Sequence, residues 1–357
     1  MSKILVIDIG STSTKLALFL DHDALLRESV EHAPERLSRL HSYDEWLKFH
    51  DEVVTSVLHG WLKELDGLSL VVSRGGLTRP VQGGAYYVND AMLRDLRSGD
   101  YGWHPCNIGP CIASSIADRY GTKAIIYDSP VSDELIQLAR FSGLKGMERG
   151  AAFHVLSQKS AGRKAARELG VPYEQGNFIV AHLGGGITIG AHEKGRIIDG
   201  THGLDEGPFT PQRTGGLPLQ GVLKLCFSGQ LTQEELGRRL FGQGGVHSYL
   251  GTHDIAAIER RADNGDEEAL VVLKAMGYQI SKDICSMAAV LDGRIHAVVL
   301  TGNLCRARTV VTEIRNRVRF LGQFLIFPGE DELESLAHAG LRIMSPGGES
   351  VNIYVNK

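Results

Sequence analysis

Short apolar runs that break off at glycine or at a single polar residue set the rhythm of this chain. Ile4-Leu5-Val6-Ile7 breaks off at Asp8-Ile9-Gly10, Phe178-Ile179-Val180-Ala181 at His182-Leu183-Gly184, and His296-Ala297-Val298-Val299-Leu300 at Thr301-Gly302-Asn303. Four or five consecutive apolar residues rich in Val and Ile are what a buried strand presents. Further strands are predicted at 15–20, 24–30, 68–72, 124–127, 187–191, 196–198 and 324–327. Between them apolar positions recur near every 3.6 residues, predicting helices over 43–65, 89–97, 111–120, 153–169, 220–227, 232–240, 254–264, 267–291, 307–319 and 331–343. Helix alternating with strand, each strand closing on a polar end, is an α/β rhythm, and ligands in such folds gather at the carboxyl ends of strands.

One pattern occurs twice. Val6-Ile7-Asp8-Ile9-Gly10 lies over Val180-Ala181-His182-Leu183-Gly184, about 174 residues apart, and each is followed by a second strand, a charged turn and a third strand. A repeat that halves the chain points to duplicated domains; solenoid periods are about 20–50 residues. The change of domain is placed near 153, before the linker-like Gly170-Val171-Pro172. The three glycines 184–186 lack Cβ atoms, so their N–H groups can curl around an anion, or they can serve a hairpin that only needs positive φ. Two domains that each offer such a turn to a shared cleft could clamp a polyphosphate.

Composition narrows the classes. At 357 residues, two domains are expected, and 43% hydrophobic with 22% charged residues describes an ordinary globular protein. A formal net charge of −4 gives no electrostatic footprint for nucleic acid or an anionic membrane. No apolar run approaches the ~18 residues of a membrane span, and the chain opens directly into a strand. Five cysteines make neither an even disulfide set nor a zinc pattern, so a reduced, cytoplasmic setting is the expectation. No Walker Gly-x-x-x-x-Gly-Lys-Ser/Thr and no Gly-x-Ser-x-Gly elbow occurs, which excludes a P-loop and counts against a serine hydrolase.

Six stretches in order carry a resemblance that spans nearly the whole chain. Ser11-Thr12-Ser13-Thr14-Lys15, Arg74-Gly75-Gly76, Asn107-Ile108-Gly109, residues 180–186, Glu206-Gly207-Pro208-Phe209 with Arg213, and Pro328-Gly329-Glu330-Asp331-Glu332 together resemble butyrate kinases. These belong with acetate kinases in the actin, sugar-kinase and chaperone ATPase superfamily. The resemblance implies two duplicated ribonuclease H-like domains with mixed five-stranded sheets flanked by helices and a cleft between them. The first would be 1–150, joined by a C-terminal helix at about 335–357, and the second, nucleotide-binding, 151–334. It implies ATP and Mg²⁺ as cofactors and reversible transfer of the γ-phosphoryl to a short-chain carboxylate, giving an acyl phosphate. Related family members are commonly dimers or larger, so a homo-oligomer is expected. The rivals are a paralogue using a branched-chain acid or propionate, and a nucleotide-binding regulatory protein or ATPase that has lost acyl transfer.

Roles follow from that resemblance and from chemistry. A carboxylate acceptor has no proton to lose, so transfer needs charge neutralisation and in-line alignment, not a general base. Arg213 is expected to stabilise the equatorial oxygens of the transition state, and Arg74 to hold the acceptor carboxylate or the same oxygens; a surface ion pair is the plain alternative for either. His182 is expected to donate to the transferring group, with a structural strand-end histidine as its alternative, and His104 is positional only. Asp128 and Glu332 are placed at Mg²⁺, with helix capping as the alternative. Asp8, Gly10, Ser11, Thr12, the glycines 184–186, Gly302 and Asn303 are the nucleotide and phosphate residues. Two of them depart from the family pattern. Asp8 stands where asparagine is usual and is assigned to the metal, and Asn303 stands where a second glycine is usual, a turn that asparagine can still make at positive φ.

Overall fold

Residues 1–329 and 331–355 are described by a computed structural model. Glu330, within the 328–332 stretch, and Asn356 and Lys357, at the end of the expected 335–357 segment, lie outside the described residues. The strands are β1 (Lys3–Ile9), β2 (Ser13–Leu20), β3 (Asp23–Glu31), β4 (Leu70–Ser73), β5 (Ala85–Tyr87), β6 (Ala124–Tyr127), β7 (Asn177–Leu183), β8 (Ile187–Glu193), β9 (Arg196–Gly200), β10 (Ala297–Gly302), β11 (Gln323–Pro328) and β12 (Val351–Ile353). The chain divides into a first unit, Met1–Ser132 with Asp331–Lys357, and a second, Asp133–Glu330.

The first unit's sheet runs β12-β5-β6-β4-β1-β2-β3 and the second's β11-β10-β7-β8-β9. In each, a central strand (β1 or β7) pairs antiparallel with the strand that follows it, and that strand pairs antiparallel with a third. On the other side two strands follow in parallel: β4 then β6, and β10 then β11. Strand order and sense are therefore the same in both units, the duplication read from the sequence. The first sheet has seven strands where five were expected. The extra β5 and β12 are three residues each, too short for periodicity to reveal; β12 pairs with β5, and β5 with β6.

The cores follow from the runs that define the strands. In the second unit Ile179, Ala181, Leu183, Val298 and Leu300 pack with Leu273, Met276, Ile280 and Ile284 of the helix Glu267–Val290, whose apolar residues fall at helical spacing. In the first, Leu5, Ile7, Leu16 and Leu18 pack with Val54 and Leu58 of the helix Tyr43–Gly60. That helix starts at a capping box of Ser42 and Glu45 and stops at Gly60, short of the expected 65. The helix Glu332–Met344 lies on the other face, with Gly340 so close to Ile4 and Val72 that a Cβ would stand 2.9 Å from Ile4 Cδ1.

Candidate active site

Each unit carries its own constellation at the end of its central strand. In the first unit Ile7 of β1 is in register with Ser73 of β4, which puts Asp8 beside Arg74 as both strands end. Arg74 Nη1 lies 3.5 Å from Asp8 Oδ1 and 3.0 Å from Glu332 Oε1. Three segments far apart in the chain thus meet. Burial works against the Arg74 charge, but the Asp8 and Glu332 carboxylates outweigh it and hold its pKa above the usual value. Burial, then Asp8, push the Glu332 carboxyl up to about 8 in spite of Arg74, so at neutral pH it largely keeps its proton. Capping of the helix Glu332–Met344 falls to Asp331, whose carboxylate accepts from Glu334 N, so Glu332 is not the cap. His104 caps the short turn Pro105–Ile108 by accepting from Cys106 N at 3.1 Å; burial, then Arg74, lower its pKa.

Asp128 follows β6, the strand paired with β4. It closes β6 in the left-handed region, at φ 44°, with Oδ1 accepting from Gly84 N at 2.9 Å. No helix starts at Pro130, and the next helical turn, Gln137–Arg140, has Ile136 at its N-cap, so Asp128 is not a helix cap. Among the described residues no three His, Cys, Asp or Glu side chains converge as a metal cage. Asp8 and Glu332 are nevertheless a hard-oxygen pair beside one arginine, and a cation bound between them would displace the Glu332 proton to leave two carboxylates. That donor set suits Mg²⁺, which keeps several waters and takes one or two protein carboxylates.

The turn Gly10–Thr12 is closed by Gly10 N donating to Ser13 O, with Ser11 and Thr12 exposed. Behind it Thr14 Oγ1 is 2.9 Å from His32 Nε2 and 2.8 Å from the buried His50 Nδ1. Burial, then His32, lower His50 to about 4. A histidine held neutral in this way contributes stability that is complete above its unfolded pKa of ~6.5 and lost as pH falls through 4. His50→Gln, which keeps a hydrogen bond to Thr14, should therefore reduce the drop in melting temperature between pH 6.5 and pH 4; a drop as large as wild type rejects the assignment.

In the second unit His182 is the penultimate residue of β7, opposite Thr188 of β8, and the turn 184–186 is closed by Gly184 N donating to Gly186 O. Thr210 Oγ1 donates to Gly185 O at 2.7 Å and accepts from Arg213 N, which ties the Arg213 loop to the glycine turn. Gly245 fixes the loop from behind, since a Cβ there would lie 1.9 Å from Thr210 O. Arg213 Nη1 donates to Gly203 O at 2.8 Å, and the guanidinium lies where a Cβ on Gly186 would be, 2.7 Å away. Burial lowers its pKa, and among the described residues no carboxylate pairs with it.

A cavity of about 780 Å³ opens beside the same turn, lined by Gly184, Gly185, Glu259, Asn303, Leu304 and Arg306 among others. That volume suits a nucleoside. The positive φ of the β10 turn falls on Gly302, at 95°, and not on Asn303. Asn303 begins a short helical turn instead, so the turn does not depend on a glycine there. The sequence reading missed His154. Its ring stacks on His182 at 4.0 Å and 16°, and its Cε1 edge comes within 3.3 Å of the missing Gly186 Cβ. The available signal was a pair of polar side chains, His154 and Gln158, four residues apart within the expected helix 153–169.

In comparison with known proteins, residues 144–354 match the acetokinase family, the acetate kinases. The chain belongs to the acetokinase family. It is therefore a carboxylate kinase by family. Among solved structures it is similar to Porphyromonas gingivalis acetate kinase, with a TM-score of 0.78 and 19% identity over 97% of this chain and 100% of that one. A propionate kinase from Francisella tularensis superposes with a TM-score of 0.72 and 20% identity, over 95% and 99%. Entamoeba histolytica acetate kinase gives 0.72 and 14%, over 94% and 98%. These likenesses extend the shared fold beyond the matched segment, into the first unit of this acetokinase. No helix among the described residues is long and apolar enough to cross a membrane.

Proposed function

We propose that this acetokinase transfers the γ-phosphoryl of ATP to butyrate or a similar short-chain carboxylate, giving ADP and the acyl phosphate by direct in-line displacement. The observation that carries the reading is Arg213: a half-buried guanidinium held over a glycine turn by backbone contacts, with no carboxylate among the described residues to match its charge. Such a cation is preorganised for the oxygens of a phosphoryl group, where charge is spread in the transition state.

The other roles follow from position. The glycines 184–186 offer backbone N–H groups to the phosphates, and the neighbouring cavity with Gly302 and Asn303 takes the nucleoside. His154 and His182, stacked beside the turn, donate to the transferring group. Arg74 takes the acceptor carboxylate, bidentate if its fork is free to turn from Glu332. Asp8 and Glu332 hold Mg²⁺, directly or through waters, with Gly10, Ser11 and Thr12 on the phosphate side, and Asp128 enters only as an outer, water-mediated partner. Mg²⁺ bound there would offset the charge of the phosphate oxygens.

Asp8 favours one rival, because an added carboxylate beside phosphate suits a protein that activates water rather than an acid. The two are separated by ATP turnover with hydroxylamine trapping across C2 to C5 acids. Acyl hydroxamate, strongest with butyrate, is the expected product. ATP hydrolysis that is indifferent to added acid would rule the kinase reading out, and a maximum at another acid would move the substrate.

A further inference from the structure

Behind His154 runs a chain of hydrogen bonds that the reaction just described does not use. Tyr173 OH lies 2.7 Å from His192 Nδ1, and His192 Nε2 lies 3.0 Å from Gln158 Oε1. Gln158 Nε2 lies 2.7 Å from Thr188 Oγ1, which lies 2.9 Å from His154 Nδ1. Tyr173, His192, Gln158 and Thr188 are all buried.

Donor and acceptor chemistry gives this chain a single direction. Gln158 Nε2 also lies 3.2 Å from the Thr188 carbonyl oxygen, which can only accept, so the amide nitrogen faces Thr188 and the amide oxygen faces His192. That oxygen accepts in turn, so His192 carries a proton on Nε2. Burial, aided by Lys159 and Arg163, keeps the ring neutral, and its Nδ1 accepts from Tyr173. Thr188 Oγ1 receives the Gln158 N–H, and its own O–H is left for His154 Nδ1. His154 then holds its proton on Nε2.

Two glycines inside regular elements make the room. A Cβ on Gly162, within the helix Val155–Glu168, would lie 2.7 Å from Tyr173 Cε2, and one on Gly190, within β8, 2.5 Å from Gln158 Oε1. Glycine weakens the interior of a helix or a strand. Its presence at both positions matches a structure built around the chain of polar groups.

We propose that Tyr173, His192 and Gln158 are positioning residues that act through Thr188 to hold His154 as an Nε2–H donor beside Gly186 and Arg213. The tautomer stands on the hydrogen bonds alone, whereas its use in phosphoryl transfer rests on the function proposed above.

The test uses the full chain labelled with ¹⁵N-histidine, the His154 signals being those lost in His154→Gln. Wild type should show His154 protonated on Nε2 and bare at Nδ1. In Thr188→Val that pattern should give way to a mixture or to the other tautomer. The kcat should fall about tenfold to a hundredfold with the KM for ATP within twofold, and Thr188→Ser should restore both. Gln158→Leu should shift the same signals and serves if Thr188→Val does not fold. His154 still protonated on Nε2 alone in a folded variant overturns the proposal, whatever the rate. A changed tautomer with unchanged kcat supports the hold on the ring and removes His154 from the proposed reaction.

Discussion

Arg213→Ala should lower kcat about 10³-fold or more while leaving ATP binding within a fewfold. The guanidinium touches Gly203 O and the space over Gly186, and no carboxylate among the described residues answers it. Its charge is therefore unspent until phosphate oxygens arrive, and most of its effect should appear as charge spreads over them. Arg213→Lys should recover little, because an ammonium cannot both hold Gly203 O and present a planar fork. Turnover by hydroxamate trapping, with ATP affinity by calorimetry, makes the comparison. Near-normal turnover in the alanine variant would remove Arg213 from the chemistry; a loss confined to affinity would make it a binding residue only.

Gly302→Ala should cost about 2–5 kcal/mol of stability and abolish measurable nucleotide binding. Two penalties meet at this residue. Its φ of 95° strains any side chain, and a Cβ would lie 2.3 Å from Leu183 O, at the end of the neighbouring parallel strand. Relief would require β10 to move from β7, which would displace Asn303 and Leu304 from the cavity and tilt the turn at 184–186. Denaturant unfolding and ATP titration read the two effects separately. A variant as stable as wild type would mean that the crowding at Leu183 is relieved at no cost.

What the sequence revealed and what it hid divide by the range of the interaction. The order of three strands and two turn types is local, so the repeat of β1–β3 in β7–β9 could be read directly, and shared pairing in both sheets follows from it. Strands β5 and β12 could not, since Ala85 and Val351 pair across the whole of the inserted second unit in sequence. Asp8, Arg74 and Glu332 were each selected by motif, but their sharing of charge belongs only to the folded chain. For Asp128 the plain alternative to the metal, a helix cap, is removed because no helix starts at Pro130. His154 was absorbed into the amphipathic pattern of the expected helix 153–169, whereas the folded helix begins at Val155 and leaves His154 at its N-cap.

The first unit is discontinuous: Met1–Ser132 is completed by Asp331–Lys357, with the whole second unit encoded between. During synthesis the nascent chain therefore carries an unfinished sheet until the second unit has emerged. Ile4, Leu70 and Val72 wait uncovered for Gly340 and the rest of the helix Glu332–Met344. Order of folding should then run against order of synthesis, with the later-made unit the first able to close. The segment that closes the earlier one also delivers Glu332 to Asp8 and Arg74. A chain cut short before it would keep the cavity beside Gly184 and Asn303 without the carboxyl pair, and on the function proposed above ribosome-released fragments should bind ATP yet make no acyl phosphate.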